Sequence, residues 1–124
     1  MNSYRSKIGK NGETIAENFL KKRGFFILEK NYKTPFGEID IIAKNGTEIV
    51  FFEVKTRVSE KFGTPLEAIN TEKKKHILKN CLYFIKKNRQ ENQPCRIDAI
   101  GIKLNAKGDL EILKHVRNAI EILV

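Results

Sequence analysis

The sequence predicts an α/β fold, a mixed β-sheet flanked by helices, on three observations. Residues 37–57 read as two strands joined at Asn45-Gly46, a dipeptide that strongly favours a tight hairpin. Two other stretches carry apolar residues at helical spacing, one before the hairpin and one after it. The order helix, three strands, helix, strands then calls for a mixed sheet with helices packed against it.

The elements follow in order. Gly12 to Arg23 reads as a helix, with Ile15, Ala16, Phe19 and Leu20 as its apolar stripe and Gly24 as its stop. Phe25 to Tyr32 contains a Phe-Phe-Ile-Leu run and reads as the first strand. The hairpin spans about Gly37 to Arg57. A loop through Gly63-Thr64-Pro65 leads into a long helix from about Leu66, with a break expected near Asn70. Its buried side is Ile77, Leu78, Cys81, Leu82 and Phe84-Ile85. Arg96 to Leu104 and Leu110 to Val116 read as two further strands around the turn 105–109, before a short helical or irregular tail.

The hairpin also carries the chemistry. Val50, Phe52 and Val54 form an apolar row on one face of its second strand, because side chains alternate along a strand. The other face begins with Ile49 and Phe51 and then switches to Glu53, Lys55 and Arg57, as where a sheet leaves its core and meets a cleft. A two-residue turn at Asn45-Gly46 pairs Lys44 with Thr47, Asp40 with Phe51 and Glu38 with Glu53. Asp40 and Glu53 then lie diagonally on one face, about 7–8 Å apart at Cα. Two carboxylates at that spacing reach one divalent cation, with a lysine one step along the strand. The competing reading is a solvated Glu-x-Lys pair at a sheet end, and a three-residue loop would turn Asp40 to the other face.

The 124 residues suffice for one domain, spanning 1–124. With 40% hydrophobic and 31% charged residues, the composition is that of a soluble globular protein. A net charge of +9 favours polyanionic partners. No apolar run approaches the ~18 residues of a membrane span, and Met1 to Lys10 has no secretory apolar region. Cys81 and Cys95 lack paired ligand spacing, so a reduced, cytoplasmic protein with ordinary thiols is expected. Between Thr71 and Gln90 seven basic residues face one acid, Glu72. Unmixed lysines repel one another and gain when a phosphate backbone neutralises them, although a merely solvated face gives the same pattern. Tyr83 and Phe84 fall beside the apolar stripe and read as core.

Gly12-Glu13 followed by Ala16, Gly-Glu-Ile-Asp-Ile-Ile at 37–42, Phe-Phe-Glu-Val-Lys-Thr-Arg at 51–57, the lysines at 73–75 and Arg-Ile-Asp at 96–98 resemble a small bacterial family typified by YraN. The resemblance covers nearly the whole chain. It places the protein in the PD-(D/E)XK nuclease superfamily, with the restriction endonucleases and the similar archaeal Holliday-junction resolvases, and implies a core of order α-β-β-β-α-β. The superfamily motif falls on Asp40 and Glu53-Val54-Lys55, with Glu13 as the helix-borne acid and the Val54 carbonyl as a further metal ligand. Gly-Glu-Ile precedes Asp40 where the superfamily name implies Pro.

The implied chemistry is Mg²⁺-dependent hydrolysis of DNA phosphodiesters, with Mn²⁺ as a substitute and branched or structured DNA among the substrates. Asp40 and Glu53 would hold the cation, which takes oxygen ligands and keeps some of its waters. Lys55 would orient the attacking water or stabilise developing charge. Arg57 and Lys73, Lys74 and Lys75 would grip flanking phosphates. Glu13 is placed in the first turn of its helix, where a plain dipole-favoured acid is the alternative; Glu17 and Glu38 are rivals for the third carboxylate. Asp98 is expected to ion-pair with Arg96, and His76 and His115 lack partners at ligand spacing and are assigned no role. The rival function is a nucleic-acid-binding module or assembly subunit that keeps the fold without the chemistry. A symmetric homodimer would supply two sites across a junction.

Overall fold

A computed structural model describes residues 4–58 and 63–122, apart from the side chains of Arg5 and Ser6. Helix α1 (Tyr4–Lys22) is followed by strands β1 (Phe26–Thr34), β2 (Gly37–Asn45) and β3 (Glu48–Arg57). A 3₁₀ turn (Pro65–Ala68) leads to α2 (Thr71–Lys87), and β4 (Cys95–Leu104) and β5 (Leu110–Ile120) close the order. The five strands lie in sequence order in one sheet, antiparallel except for the β3–β4 pair, which is parallel. This is the mixed sheet that the sequence predicts. The parallel pair follows from the crossover through α2, which carries the chain from the end of β3 back to its start.

Each helix covers one face. Ala16 and Leu20 of α1 pack on Ile41, Ala43, Val50, Phe52, Val54, Ile100 and Ile102. Ile77, Cys81, Phe84 and Ile85 of α2 pack on Ile42, Ile49, Phe51 and Ile97. Strand β3 is therefore apolar on both faces over its first half, and Phe51 and Phe52 are each 1% exposed. Burial at that level contributes about 1.5–3 kcal/mol per large side chain, which makes β3 the spine of the sheet.

Where boundaries differ from the sequence reading, they do so for a physical reason. Helix α1 begins at Tyr4 rather than near Gly12. Its first turns contain Gly9 and several exposed polar residues, so propensity is weak, and packing of Ile8 on the core supplies what propensity lacks. The break expected near Asn70 is real: the 3₁₀ turn stops at Ala68, and Asn70 caps α2 by accepting the Lys73 N–H at 3.0 Å. Strand β5 runs on to Ile120 instead of ending at Val116 in a tail, with a register irregularity opposite Ile97–Ala99. Residues 123–124 of that tail lie outside the described residues.

The hairpin loop is Gly46-Thr47, not Asn45-Gly46. Asn45 pairs with Glu48 and Lys44 with Ile49, and Gly46 takes φ 66° as the first loop residue, a position where type II′ turns favour glycine. The slip is two residues in the paired register, so the faces are unchanged. Asp40 then follows the last pair of the ladder, Ile41–Phe52, and is not paired with Phe51.

Candidate active site

The site forms where β2 and β3 part. Their ladder ends at Ile41–Phe52, and at the next position the Asp40 side chain takes the place of the missing backbone partner. Its Oδ2 accepts the Val54 N–H at 2.7 Å. The alternation of β2 slips at the same point. Ile41 joins the core under α1, whereas Ile39 and Ile42, three residues apart, both join the core under α2. A regular strand would put 39 and 41 together. Counted back from Ile42, alternation keeps Asp40 on the α2 face, where Glu53 follows Ile49 and Phe51 along β3 and repels it.

Both carboxylates are largely withdrawn from water. Burial, then repulsion from Glu53, pushes Asp40 up from 3.8 to about 8, against the stabilising Val54 N–H, with Glu13 raising it further and Lys55 opposing. Burial also raises Glu53, partly offset by Lys55 and Lys73. Lys55 Nζ lies 3.3 Å from Glu53 Oε1. The named cations thus leave a negative excess between two adjacent carboxylates. That donor set, hard oxygens short of positive charge, fits a divalent cation such as Mg²⁺. Among the described residues no three His, Cys, Asp or Glu side chains converge tightly enough to hold an ion by themselves. A cation here would accordingly rest on two carboxylates, backbone oxygen and water.

Glu13 reaches this cluster from α1, and its charge is felt by both Asp40 and Glu53. It stands well inside the helix, which has no acid in its first turn, so the expected first-turn placement and its dipole explanation fall. Its position is set by Gly12: a Cβ at that residue would overlap the Thr56 hydroxyl, so only glycine lets α1 approach the end of β3. Asn31 then holds the carboxylate in place. At φ 50° this residue turns out of the regular β1 conformation, and its Nδ2 donates to Glu13 Oε1 at 2.7 Å and to Glu38 Oε1 at 3.0 Å. Asn31 was not legible as a site residue; an asparagine within a strand, where it is disfavoured, is the one signal it leaves.

The rival carboxylates have lysine partners of their own. Glu17 pairs with Lys21 at 2.9 Å and Lys30 at 3.0 Å, which hold its carboxyl below the usual range. Glu38 pairs with Lys33 at 3.1 Å and sits opposite that residue on β1, not opposite Glu53. Lys73 is close enough to Glu53 to favour its ionised form, whereas Lys74 and Lys75 stand exposed on the following positions of α2. Arg57 continues the face of Glu53 and Lys55, and among the described residues its buried Nε has no hydrogen-bond partner.

Asp98 does pair with Arg96, whose Nε reaches both carboxylate oxygens at 3.0 and 3.2 Å. His115, given no role from sequence, bonds the same carboxylate through Nε2 at 2.8 Å. Tyr83 and Phe84 separate: Phe84 is core, while Tyr83 is half-buried.

The fold and this arrangement define a PD-(D/E)XK nuclease-like protein. Residues 12–102, which include Glu13, Asp40, Glu53 and Lys55, match the model of the uncharacterised protein family UPF0102, and the chain belongs to that YraN-like family. It is 46% identical over 115 residues to a UPF0102 protein of Thermodesulfovibrio yellowstonii, covering 93% of this chain and 96% of the relative. A UPF0102 protein of Clostridium acetobutylicum is 42% identical over 122 residues, 98% of this chain and all of the relative. One from Caldicellulosiruptor saccharolyticus is 41% identical over 115 residues, 93% of this chain and 98% of the relative. No helix among the described residues is long and apolar enough to cross a membrane.

Proposed function

We propose that the protein is a Mg²⁺-dependent endonuclease acting on DNA, with Asp40, Glu53 and Lys55 at its centre. The observation that carries this reading is the meeting of those three side chains at the point where β2 and β3 separate. Asp40 bonds the Val54 amide, and Lys55 bonds Glu53.

Asp40 and Glu53 would hold the cation, with the Val54 carbonyl and water completing its shell. Mg²⁺ bound there supplies charge neutralisation at the scissile phosphate and acidifies the attacking water; Mn²⁺ serves the same chemistry. Lys55, anchored by Glu53, orients that water or stabilises the developing charge on the phosphorane. Glu13, fixed through Asn31, adds negative charge beside Asp40 and Glu53. Arg57, beyond Lys55 on the same face, and Lys73 at the start of α2 would take the phosphates on either side of the cut. The net charge of +9 supports a polyanionic substrate. A homodimer would present two such centres to a branched substrate.

The test is cleavage of labelled linear, single-stranded, flapped and four-way-junction DNA with Mg²⁺ or Mn²⁺, beside the Glu53→Ala variant. Cleavage that disappears in the variant supports the reading. Binding without cleavage, equal in both proteins and with either metal, favours a binding module instead.

A further inference from the structure

The turn between β1 and β2 holds an aromatic ring out into solvent. Phe36 is 51% exposed and stands edge-on to Tyr83 of α2, with ring centroids 6.4 Å apart and planes at 81°. Lys79 Nζ lies 5.8 Å from the Phe36 ring centre, and Lys87 Nζ lies 5.9 Å from that of Tyr83, within cation–π range. Lys79, Lys86 and Lys87 are exposed, and the acid on this helix, Glu72, is in its first turn at the opposite end.

The ring is held firmly. Thr34 Oγ1 accepts the Phe36 N–H at 3.0 Å and donates to Asn80 Oδ1. Asn80, only 4% exposed, spends its Nδ2 on the Glu38 carbonyl at 3.4 Å. A buried amide is thus committed to fixing a surface turn, which pre-organises the exposed ring at little further cost in order on binding. Asn80 also lines, with Glu38, Ile39, Glu53, Ile77 and Cys81, a narrow crevice behind the candidate catalytic carboxylate. The platform and the site are therefore neighbours across one residue of α2.

We infer that Phe36 and Tyr83, with Lys79 and Lys87, form a stacking platform for an unpaired base, so that the substrate carries a single-stranded segment beside the scissile phosphate. Every base presents a π face to such a ring, while the lysines take the adjoining phosphates. Paired bases within a duplex hide those faces, which selects single strands, flaps and splayed branch points. An apolar protein partner is a poorer fit, because it would desolvate the lysine ammonium groups without supplying anions. The inference rests on the nucleic-acid part of the proposed function and sharpens its substrate class.

The protein contains no tryptophan, so Phe36→Trp gives a fluorophore at the platform alone. In metal-free buffer, oligothymidine is expected to quench its emission, and a blunt duplex of equal length is not. Phe36→Ala should weaken single-strand binding about tenfold at fixed salt without changing the salt slope. Lys79→Ala should instead lower that slope by about 0.7. Phe36→Tyr should restore affinity, and unchanged melting temperatures would confirm that the exposed turn still folds. Absence of quenching by single strands, or equal quenching by duplex, overturns the inference. Because no hydrolysis enters the readout, quenching without any cleavage keeps the platform and removes the nuclease reading. Cleavage without quenching does the reverse.

Discussion

Asp98 and Asp40 are both carboxylates drawn into the same sheet, and the protein treats them oppositely. Asp98, fully buried, accepts from Arg96, from His115 and from the Asn118 N–H at 2.8 Å. Arg96 is in turn held by Glu48 at 2.6 Å, and the His115 ring sits against Phe19, Phe25 and Phe52. Asp40 has one backbone donor, and its neighbours Glu53 and Glu13 repel it. A buried charge surrounded by donors is structural, because folding has already compensated its desolvation. A buried carboxylate placed beside another is waiting for a proton or a cation. The difference lies in the partners and not in burial: donors surround one carboxylate, and other carboxylates crowd the other.

The comparison can be broken most forcefully at Asp98. Asp98→Ala leaves the Arg96 guanidinium without its main partner, and should cost about 3–5 kcal/mol in denaturant unfolding. A loss below about 1 kcal/mol would mean that the network is ornamental. Next comes the packing that delivers Glu13 to the site. Gly12→Ala should push α1 away from Thr56 and cost about 1–3 kcal/mol; a neutral result by the same measurement would show that the helix approach is loose.

A third effect has the opposite sign. When folded, Asp40 keeps its proton up to about pH 8, whereas its ordinary value is 3.8. The folded state therefore binds the extra proton in that interval, and this contribution to stability, complete below pH 3.8, is lost as pH rises to about 8. Glu53, also raised, acts in the same direction. Metal-free protein should melt lower at pH 8 than at pH 5. Asp40→Asn should flatten that slope and melt higher than the parent at the alkaline end. A variant that parallels the parent at every pH would show that Asp40 is not held protonated.

Much of this was legible in the chain. The apolar rows Val50-Phe52-Val54 and Ile49-Phe51 place β3 between two helices, and the switch to Glu53 and Lys55 marks where it leaves the core. Asp40 was assigned to the right face through a register wrong by two residues, because a two-residue slip preserves the pleat. Less legible was everything set by tertiary approach. Glu13 reads as a first-turn acid because nothing in residues 4–11 announces a helix that is held by packing. Asn31 acts through a positive φ, Asn118 through a strand that continues past the predicted end, and Phe36 through a turn pinned by a distant asparagine. None of these leaves a periodic trace.

The central claim is that Asp40 and Glu53 together bind a divalent cation. The most direct measurement is the melting temperature of the parent protein, Asp40→Asn and Glu53→Ala, each titrated with Mg²⁺ or Mn²⁺ at pH 8. A cation that binds only the folded state raises the melting temperature with its concentration. The account predicts a rise in the parent that is absent from both variants. An equal rise in all three proteins, or none in the parent at metal concentrations that saturate hard-oxygen sites, would contradict it.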